Sequence, residues 1–182
     1  MAHTSKIEWT EATWNPWHGC HKVSAGCKNC YMFRDKKHYG QDPNVVVRSK
    51  TKFYDPLKWK EPRTIFTCSW SDFFIEEADP WRDEAFAIMA LTPQHTYLVL
   101  TKRPDRMREY LMDAYTRERI VNEIYSLTPR EKVVGVFFDL YNRGVVHKVD
   151  PHTDREIECL KLWPLPNVWL GVSVEDQKTA DE

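Results

Sequence analysis

Three of the five cysteines lie within eleven residues, and this cluster is the feature of the chain best suited to chemistry. Cys20, Cys27 and Cys30 follow the spacing Cys-x6-Cys-x2-Cys, whereas Cys68 and Cys159 stand alone. In a reducing compartment, thiols clustered in this way are typical of a metal site rather than of a disulfide framework. We therefore predict that Cys20, Cys27 and Cys30 form one metal-ligand set and that the other two cysteines are structural.

The spacing is compatible with two kinds of metal centre. Three thiolates on a tight loop suit a 4Fe–4S cluster that leaves one iron atom without a protein ligand. A structural zinc ion needs a fourth protein ligand to close its tetrahedral site, and His18 or His21 could supply it. The cysteine spacing alone does not choose between the iron–sulfur cluster and the zinc ion.

Composition sets limits on the fold and on the partners. The chain has 182 residues, of which 42% are hydrophobic and 29% charged, with a formal net charge of −1. Such a chain can build one globular domain, and its overall charge does not attract nucleic acid, although a local basic groove could still bind it. Because neither a membrane-spanning run nor an apolar signal core is present, we expect a cytoplasmic protein without a membrane partner.

Strand-like and helix-like segments alternate along the chain and predict the elements that position the cysteines. Short β-rich runs occur at residues 64–70, 96–101 and 168–174, and the last is apolar enough to predict a strand buried on both faces. Helical patterns occur at residues 31–39, 79–91, 104–113 and 116–127. This alternation predicts an α/β fold with a parallel sheet and helices outside it.

Residues 131–161 interrupt the alternation, and we interpret them as a small insertion within one domain. The segments Val133–Phe138 and Val145–Val149 are predicted to pair as a hairpin, with polar residues at the turn between them.

Polar residues follow each predicted strand. They are Ser69, Ser71 and Asp72 after the first run, Lys102 and Arg103 after the second, and Ser173, Glu175 and Asp176 after the third. Parallel strands end at one edge of their sheet, where functional sites of barrels and open α/β sheets usually lie. We expect the cysteine loop, residues 17–30, to join that edge.

The residues around the cysteines resemble a known type of cluster loop. The run TWNPWHGCHKVSAGCKNCYMFR is similar to that of radical SAM enzymes in the spore photoproduct lyase neighbourhood, with Asn15, Pro16 and Gly19 at its start and Tyr31 at its finish. More closely, the chain resembles a family of phage and prophage proteins of unassigned function with a three-cysteine motif. That resemblance rests on IEWTEATWNP, the Ser71–Asp72–Phe73 stretch, LTKRPDRM and WPLPNVWLGVSVEDQ.

The resemblance implies a fold and an activity. The fold would be a partial parallel (β/α) barrel of radical SAM type, with a 4Fe–4S cluster on Cys20, Cys27 and Cys30. S-adenosylmethionine would bind the open iron and generate a radical that abstracts hydrogen from the substrate. Nucleic acid modification or repair is the candidate reaction. The alternative from another functional class is a non-catalytic binding module, stabilised by zinc or by a cluster.

Seven further residues are candidates for binding the cofactor: Tyr31, Ser71, Asp72, Lys102, Arg103, Ser173 and Glu175. Tyr31 would contact the cluster or the adenine, and Ser71 and Asp72 would contact the methionyl amino group. Lys102 and Arg103 suit a carboxylate or phosphate, and Ser173 and Glu175 suit the ribose hydroxyls. The structural alternatives are a packing tyrosine, an aspartate that caps a local turn and a solvated helix start.

The chain departs from the radical SAM pattern in three respects. Six residues rather than the usual three separate the first two cysteines, and Asn29 replaces the aromatic residue common before the third. The resemblance also implies further strands after Val174, including a glycine-rich strand end. We therefore expect a barrel without its C-terminal strands, which a missing C-terminal half or a protein partner would complete.

Overall fold

The computed structural model describes residues 7–147 and 160–174 and shows a mixed α/β fold. Its strands are β1 (Ala12–Trp14), β2 (Trp17–His18), β3 (Val47–Arg48), β4 (Thr64–Thr67), β5 (Thr96–Thr101) and β6 (Val168–Val172). Its α-helices are α1 (Tyr31–His38), α2 (Asp79–Leu91), α3 (Pro104–Met112), α4 (Thr116–Leu127) and α5 (Val133–Asn142). One-turn 3-10 helices include Ala25–Asn29 in the cysteine loop and Asp55–Lys58 before β4.

Four of the strands form one parallel sheet in the order β1-β4-β5-β6. Trp14 lies opposite Thr67 at the end of β1, and Thr101 lies opposite Val172 at the end of β5. All four strands therefore end at one edge, which we call the carboxyl edge. Strands β2 and β3 pair antiparallel in a separate ribbon.

The hydrophobic core lies between the sheet and the helices. Alternate residues of β4 and β5 are buried, among them Ile65, Tyr97 and Val99, as expected for strands with one face against helices. Helix α2 contributes a nearly continuous buried run from Ala85 to Ala90 and packs against α4. Pro80 occupies the first turn of α2, where its missing N–H breaks no helical hydrogen bond.

The predicted elements agree in kind with the structure except in two places, although β4 ends at Thr67 rather than at residue 70 and β6 at Val172 rather than at residue 174. The prediction of a hairpin at Val133–Phe138 is wrong, because Val133–Asn142 forms helix α5. Val133, Val136, Phe137 and Leu140 all pack against the core, and this spacing of three and four residues is helical. Of the second predicted hairpin strand, Val146 makes one isolated antiparallel bridge to Leu160, whereas residues 148 and 149 lie outside the described residues.

The prediction that the strand at 168–174 is buried on both faces is also wrong for the residues that the structure describes. Val168 is buried, but the Trp169 side chain is 64% exposed and Val172 is exposed as well. Within the described part of the chain, β6 pairs only with β5 and is therefore an edge strand. Among those same residues, no helix is long and apolar enough to cross a membrane.

Gly19 allows the cysteine loop to pass close to the segment before β3. Its φ of +99° lies in the left-handed region, and a Cβ atom there would stand 2.1 Å from the Val45 carbonyl oxygen. Such a distance is far below van der Waals contact, so only glycine fits without movement of the backbone.

We expect Gly19→Ala to lower the free energy of unfolding by more than about 2 kcal/mol, because it adds left-handed strain to a backbone clash. Gly135→Ala is the matched control, since Gly135 lies in α5 and a Cβ atom added there would meet no neighbour within 4 Å. The control should be neutral or stabilising by up to about 1 kcal/mol. Urea unfolding of both variants measures the difference, and equal stabilities would contradict the prediction.

Candidate metal centre

Just before the cysteine loop, the side chain of Asn15 forms hydrogen bonds with the residues that follow β4. Asn15 follows β1, and its Oδ1 accepts a hydrogen bond from the Trp70 backbone N–H at 2.8 Å. Its Nδ2 donates to the Ser69 hydroxyl at 3.1 Å. The asparagine of the Asn-Pro motif thus joins the ends of two neighbouring strands.

Three further hydrogen bonds hold the two ends of the loop on the carboxyl edge. The Ser71 hydroxyl donates to the Gly19 carbonyl at 2.5 Å, and the Gly19 N–H donates to the Trp70 carbonyl at 3.0 Å. At the start of α1, the Tyr31 hydroxyl donates to the Ser69 carbonyl at 2.5 Å. The loop therefore lies at the carboxyl edge, as the sequence predicts.

Arg103 connects the loop to the end of β5. Its Nη2 donates to the His21 carbonyl at 3.0 Å, and its Nη1 lies 3.8 Å from the Cys20 sulfur. The same Nη1 is 3.2 Å from Oδ2 of Asp72, and the arginine side chain is 10% exposed. The guanidinium thus places a buried positive charge beside the first cysteine.

Asp72 is the partner that holds this arginine. Its Oδ1 accepts hydrogen bonds from the Thr101 hydroxyl at 2.7 Å and the Phe74 N–H at 2.9 Å. Its Oδ2 accepts one from the Lys102 N–H at 2.8 Å. The bond to Phe74 is the local turn cap that the sequence offers as an alternative for this aspartate. Contact of Ser71 or Asp72 with a methionyl amino group stays a prediction.

The thiols of the loop are free and differ in their surroundings. Cys27 is buried, Cys20 and Cys30 are half-buried, and none of these or Cys68 forms a disulfide. Cys20 and Cys27 are near enough for the charge of one to affect the other. Within residues 7–147 and 160–174, no three His, Cys, Asp or Glu side chains converge closely enough to hold a metal ion.

The surroundings move the pKa values of two thiols in opposite directions. Burial raises the pKa of Cys20, and Asp72 raises it further, although the Arg103 guanidinium opposes both. Burial also opposes ionisation of Cys27, but hydrogen bonds from the Ser24 hydroxyl and from the backbone at residues 23 and 24 outweigh it and lower that pKa. Lys102 acts in the same direction on Cys27. Cys27 is therefore the thiol better prepared to act as a thiolate.

Both histidines proposed as a fourth zinc ligand have other partners. His18 Nδ1 is 2.8 Å from the Nζ of Lys36, and burial followed by this lysine lowers the pKa of the imidazole. His21 Nε2 is 2.5 Å from a carboxylate oxygen of Glu77. One ring nitrogen of each histidine thus contacts a charged side chain rather than a thiol.

The remaining predicted cofactor residues lie at the ends of β5 and β6. The Ser173 N–H donates to the Thr101 carbonyl at 2.8 Å, and the Lys102 Nζ lies 3.5 Å from the Ser173 carbonyl. Glu175 lies outside the described residues. The structure therefore brings six of the seven candidates to the carboxyl edge: Tyr31, Ser71, Asp72, Lys102, Arg103 and Ser173.

Sequence reasoning missed two residues that shape the site. Thr101 binds Asp72 through its hydroxyl, and Glu77 holds His21. A threonine that closes an apolar strand just before two basic residues is the only signal for the first. Glu77 lies far from the loop in sequence and carries no comparable signal.

Comparison with known proteins adds a family to this geometry. Residues 4–182 match the family described as Protein of unknown function (DUF5131). The chain belongs to this family. No curated protein and no solved structure shows a significant match. For this DUF5131 protein, phage origin and a relationship to radical SAM enzymes stay predictions.

Charge changes at Asp72 and Arg103 should move the reactivity of Cys20 in opposite directions. Asp72→Asn removes a negative charge that raises the pKa of Cys20, so this pKa falls and the thiolate fraction at pH 8 rises. Arg103→Gln removes the opposing positive charge, so the pKa rises and the thiolate fraction falls. We expect alkylation of Cys20 by iodoacetamide to become several-fold faster in the first variant and slower in the second.

Peptide mass spectrometry measures each cysteine separately, with Cys27 as the internal reference and Asp105→Asn in exposed α3 as the control. Simple loosening of the loop would accelerate alkylation in both variants. That result would contradict the electrostatic explanation.

Proposed function

We propose that this DUF5131 protein is a radical-SAM-type enzyme, with a 4Fe–4S cluster on Cys20, Cys27 and Cys30 and S-adenosylmethionine as its cofactor. The observation that carries the proposal is the fixing of a three-thiol loop on the carboxyl edge by the side chains of Arg103 and Ser71. In parallel α/β folds this edge is where cofactors and substrates usually bind.

The order of the strands supports a partial (β/α) barrel. The four parallel strands lie side by side in chain order, which is how consecutive strands of a barrel are arranged. A doubly wound sheet would instead reverse its strand order at a switch point. No reversal occurs among the described strands.

The donor set suits an iron–sulfur cluster. Three free thiols lie on one loop, and basic side chains stand near two of them, Arg103 at Cys20 and Lys102 at Cys27. Positive charge beside a thiol favours the thiolate, which is the form that binds metal; the pKa of Cys27 is lowered accordingly, whereas at Cys20 burial and Asp72 outweigh Arg103. Because the thiols do not converge in this structure, ligation requires the single 3-10 turn at Ala25–Asn29 to adjust. A bound cluster would supply one-electron reduction of S-adenosylmethionine at the iron without a protein ligand.

The protein's own side chains would orient and shield the cofactor. Arg103, which follows β5 and is held by Asp72, would balance the negative charge that Cys20 gains when it gives up its proton to bind metal. Lys102 and Ser173 offer polar groups at the ends of β5 and β6 for a carboxylate and for ribose hydroxyls. The Tyr31 ring, 42% exposed beside Cys30, offers an apolar face for the adenine.

A second candidate is a metal-stabilised binding module, and one observation favours it. Hydrogen bonds within the protein already occupy the polar groups of Ser71, Asp72 and Tyr31, so the arrangement of these side chains is explained without a cofactor. In this case the metal would stabilise the fold only. A colourless protein with stoichiometric zinc after anaerobic purification would support the module, and a brown protein with iron and sulfide would support the enzyme.

We expect Cys20→Ala, Cys27→Ala and Cys30→Ala each to abolish iron binding, whereas Cys68→Ala keeps it. Cys68 is the matched control because the residue is 3% exposed and burial raises the pKa of its thiol well above the ordinary range, so it does not act as a thiolate. Cys159→Ala, outside the described residues, should also keep the iron. Iron and sulfide analysis of anaerobically reconstituted protein measures this, and full loss in Cys68→Ala would show that the ligand set is wrong.

Addition of S-adenosylmethionine should change the electron paramagnetic resonance spectrum of the reduced, reconstituted protein. Three thiolates leave one iron open, and a chelating ligand at that iron alters its electronic structure. S-adenosylhomocysteine is a useful comparison because it carries the same amino and carboxylate groups without the sulfonium. A spectrum unchanged at saturating cofactor would contradict the enzyme and favour the module.

A further inference from the structure

A basic groove lies next to the third cysteine, between the cysteine loop and α1. Its volume is about 420 Å³, and its wall includes Cys30, the Phe33 ring and four cations: Lys22, Lys28, Arg34 and Lys37. No carboxylate lines it among the described residues. This concentration of positive charge stands out in a chain whose net charge is −1.

Most of these cations form no ion pair with another described residue. Arg34 pairs with Asp35 at 3.0 Å, and Lys22 lies over the Phe33 ring at 5.1 Å. Lys28 and Lys37 have no ion-pair partner in the described part of the chain. Like charges held together in this way repel one another, and a bound anion relieves the repulsion.

A second cavity shows the contrast. This cavity, of about 480 Å³, is lined by three arginines and by acidic side chains. There Arg106 pairs with Asp79, and Arg119 pairs with Asp83 and Asp113. Each of the cations named in that cavity is thus neutralised by a carboxylate, whereas in the groove beside Cys30 only Arg34 forms an ion pair with a described residue.

The arrangement of the cations suits a chain of phosphates better than one phosphate. Lys22 and Lys28 lie on the cysteine loop, whereas Arg34 and Lys37 lie one turn apart on the opposite wall, α1. Exposed tyrosines stand at the two ends of α1, Tyr31 at 42% and Tyr39 at 67% exposure. Neither tyrosine lines the groove itself, where the aromatic ring is that of Phe33. Proteins that bind single strands combine a positively charged groove for the phosphates with aromatic rings on which bases stack.

We propose that this groove binds the phosphodiester backbone of single-stranded nucleic acid and places the strand beside Cys30. The inference names a substrate class for the proposed function, and it rests on that function only for the reaction that follows binding. Binding itself depends on Lys22, Lys28, Arg34 and Lys37 and can be measured whether or not a cluster forms.

The test is fluorescence anisotropy with a labelled single-stranded oligonucleotide at salt concentrations from about 50 to 200 mM. Lys28→Gln/Lys37→Gln should weaken binding on the order of tenfold and reduce the slope of log K against log salt by about 1.4, since each phosphate contact contributes about 0.7. The matched control is Lys60→Gln/Lys161→Gln. These lysines are also exposed, form no ion pair with a described residue and cause the same charge change, but neither lines the groove.

Four results would overturn the inference. The first is no binding by the wild-type chain at the lowest salt concentration, and the second is equal weakening in both double variants. The third is competition by a mononucleotide or inorganic phosphate as effective as that by the oligonucleotide, which would identify a single phosphate as the ligand. The fourth is equally effective competition by polyglutamate, which would identify an acidic peptide. Iron analysis of the same samples separates the two proposals, because strand binding without iron contradicts only the proposed function, and iron without strand binding contradicts only this inference.

Discussion

The ion pair between Asp72 and Arg103 is the interaction on which the carboxyl edge depends. Asp72 follows β4, Arg103 follows β5, and the guanidinium reaches the cysteine loop that follows β1, so one pair joins three strand ends. Both side chains are nearly buried, at 7% and 10% exposure. Loss of either partner would leave an uncompensated charge, which typically costs about 3–5 kcal/mol. The Asp72–Arg103 pair therefore helps to determine both the position of the cysteine loop and the charge beside Cys20.

The thiols of the cysteine loop differ in their electrostatic surroundings, and the same pair acts on one of them, Cys20. Burial and Asp72 hold Cys20 towards the protonated form, whereas hydrogen bonds hold Cys27 towards the thiolate. A metal must displace the thiol protons of its ligands, so its affinity depends on pH. If the proposed metal binds, Cys27 loses its proton more readily than Cys20 does. Arg103 would balance the negative charge of an ionised Cys20.

The sequence predicts the elements of this fold better than it predicts their contacts. Helices α2 and α4 begin and end where the periodicity indicates, because each buries a continuous apolar face. Helix α5 is not predicted, because the β-branched and aromatic residues of VVGVFF favour a strand when only local preference is considered. Its spacing of core residues is the better guide, and tertiary packing decides the outcome.

The same limit applies to the candidate site. Strand-end position alone predicts that Ser71, Asp72 and Arg103 lie at one edge, since the topology of a parallel sheet requires it. It does not predict that the Asp72 carboxylate accepts hydrogen bonds from Thr101 and the Lys102 backbone, about thirty residues away.

Cys30 connects the thiols to the basic groove, because it is both the third thiol and the residue at the N-cap position of α1. If metal ligation moved Cys30 towards the other thiols and α1 followed, the α1 wall of the basic groove, which includes Arg34, would move as well. Binding at the thiols and binding in the groove would then be linked, and by thermodynamic necessity each would alter the affinity of the other equally.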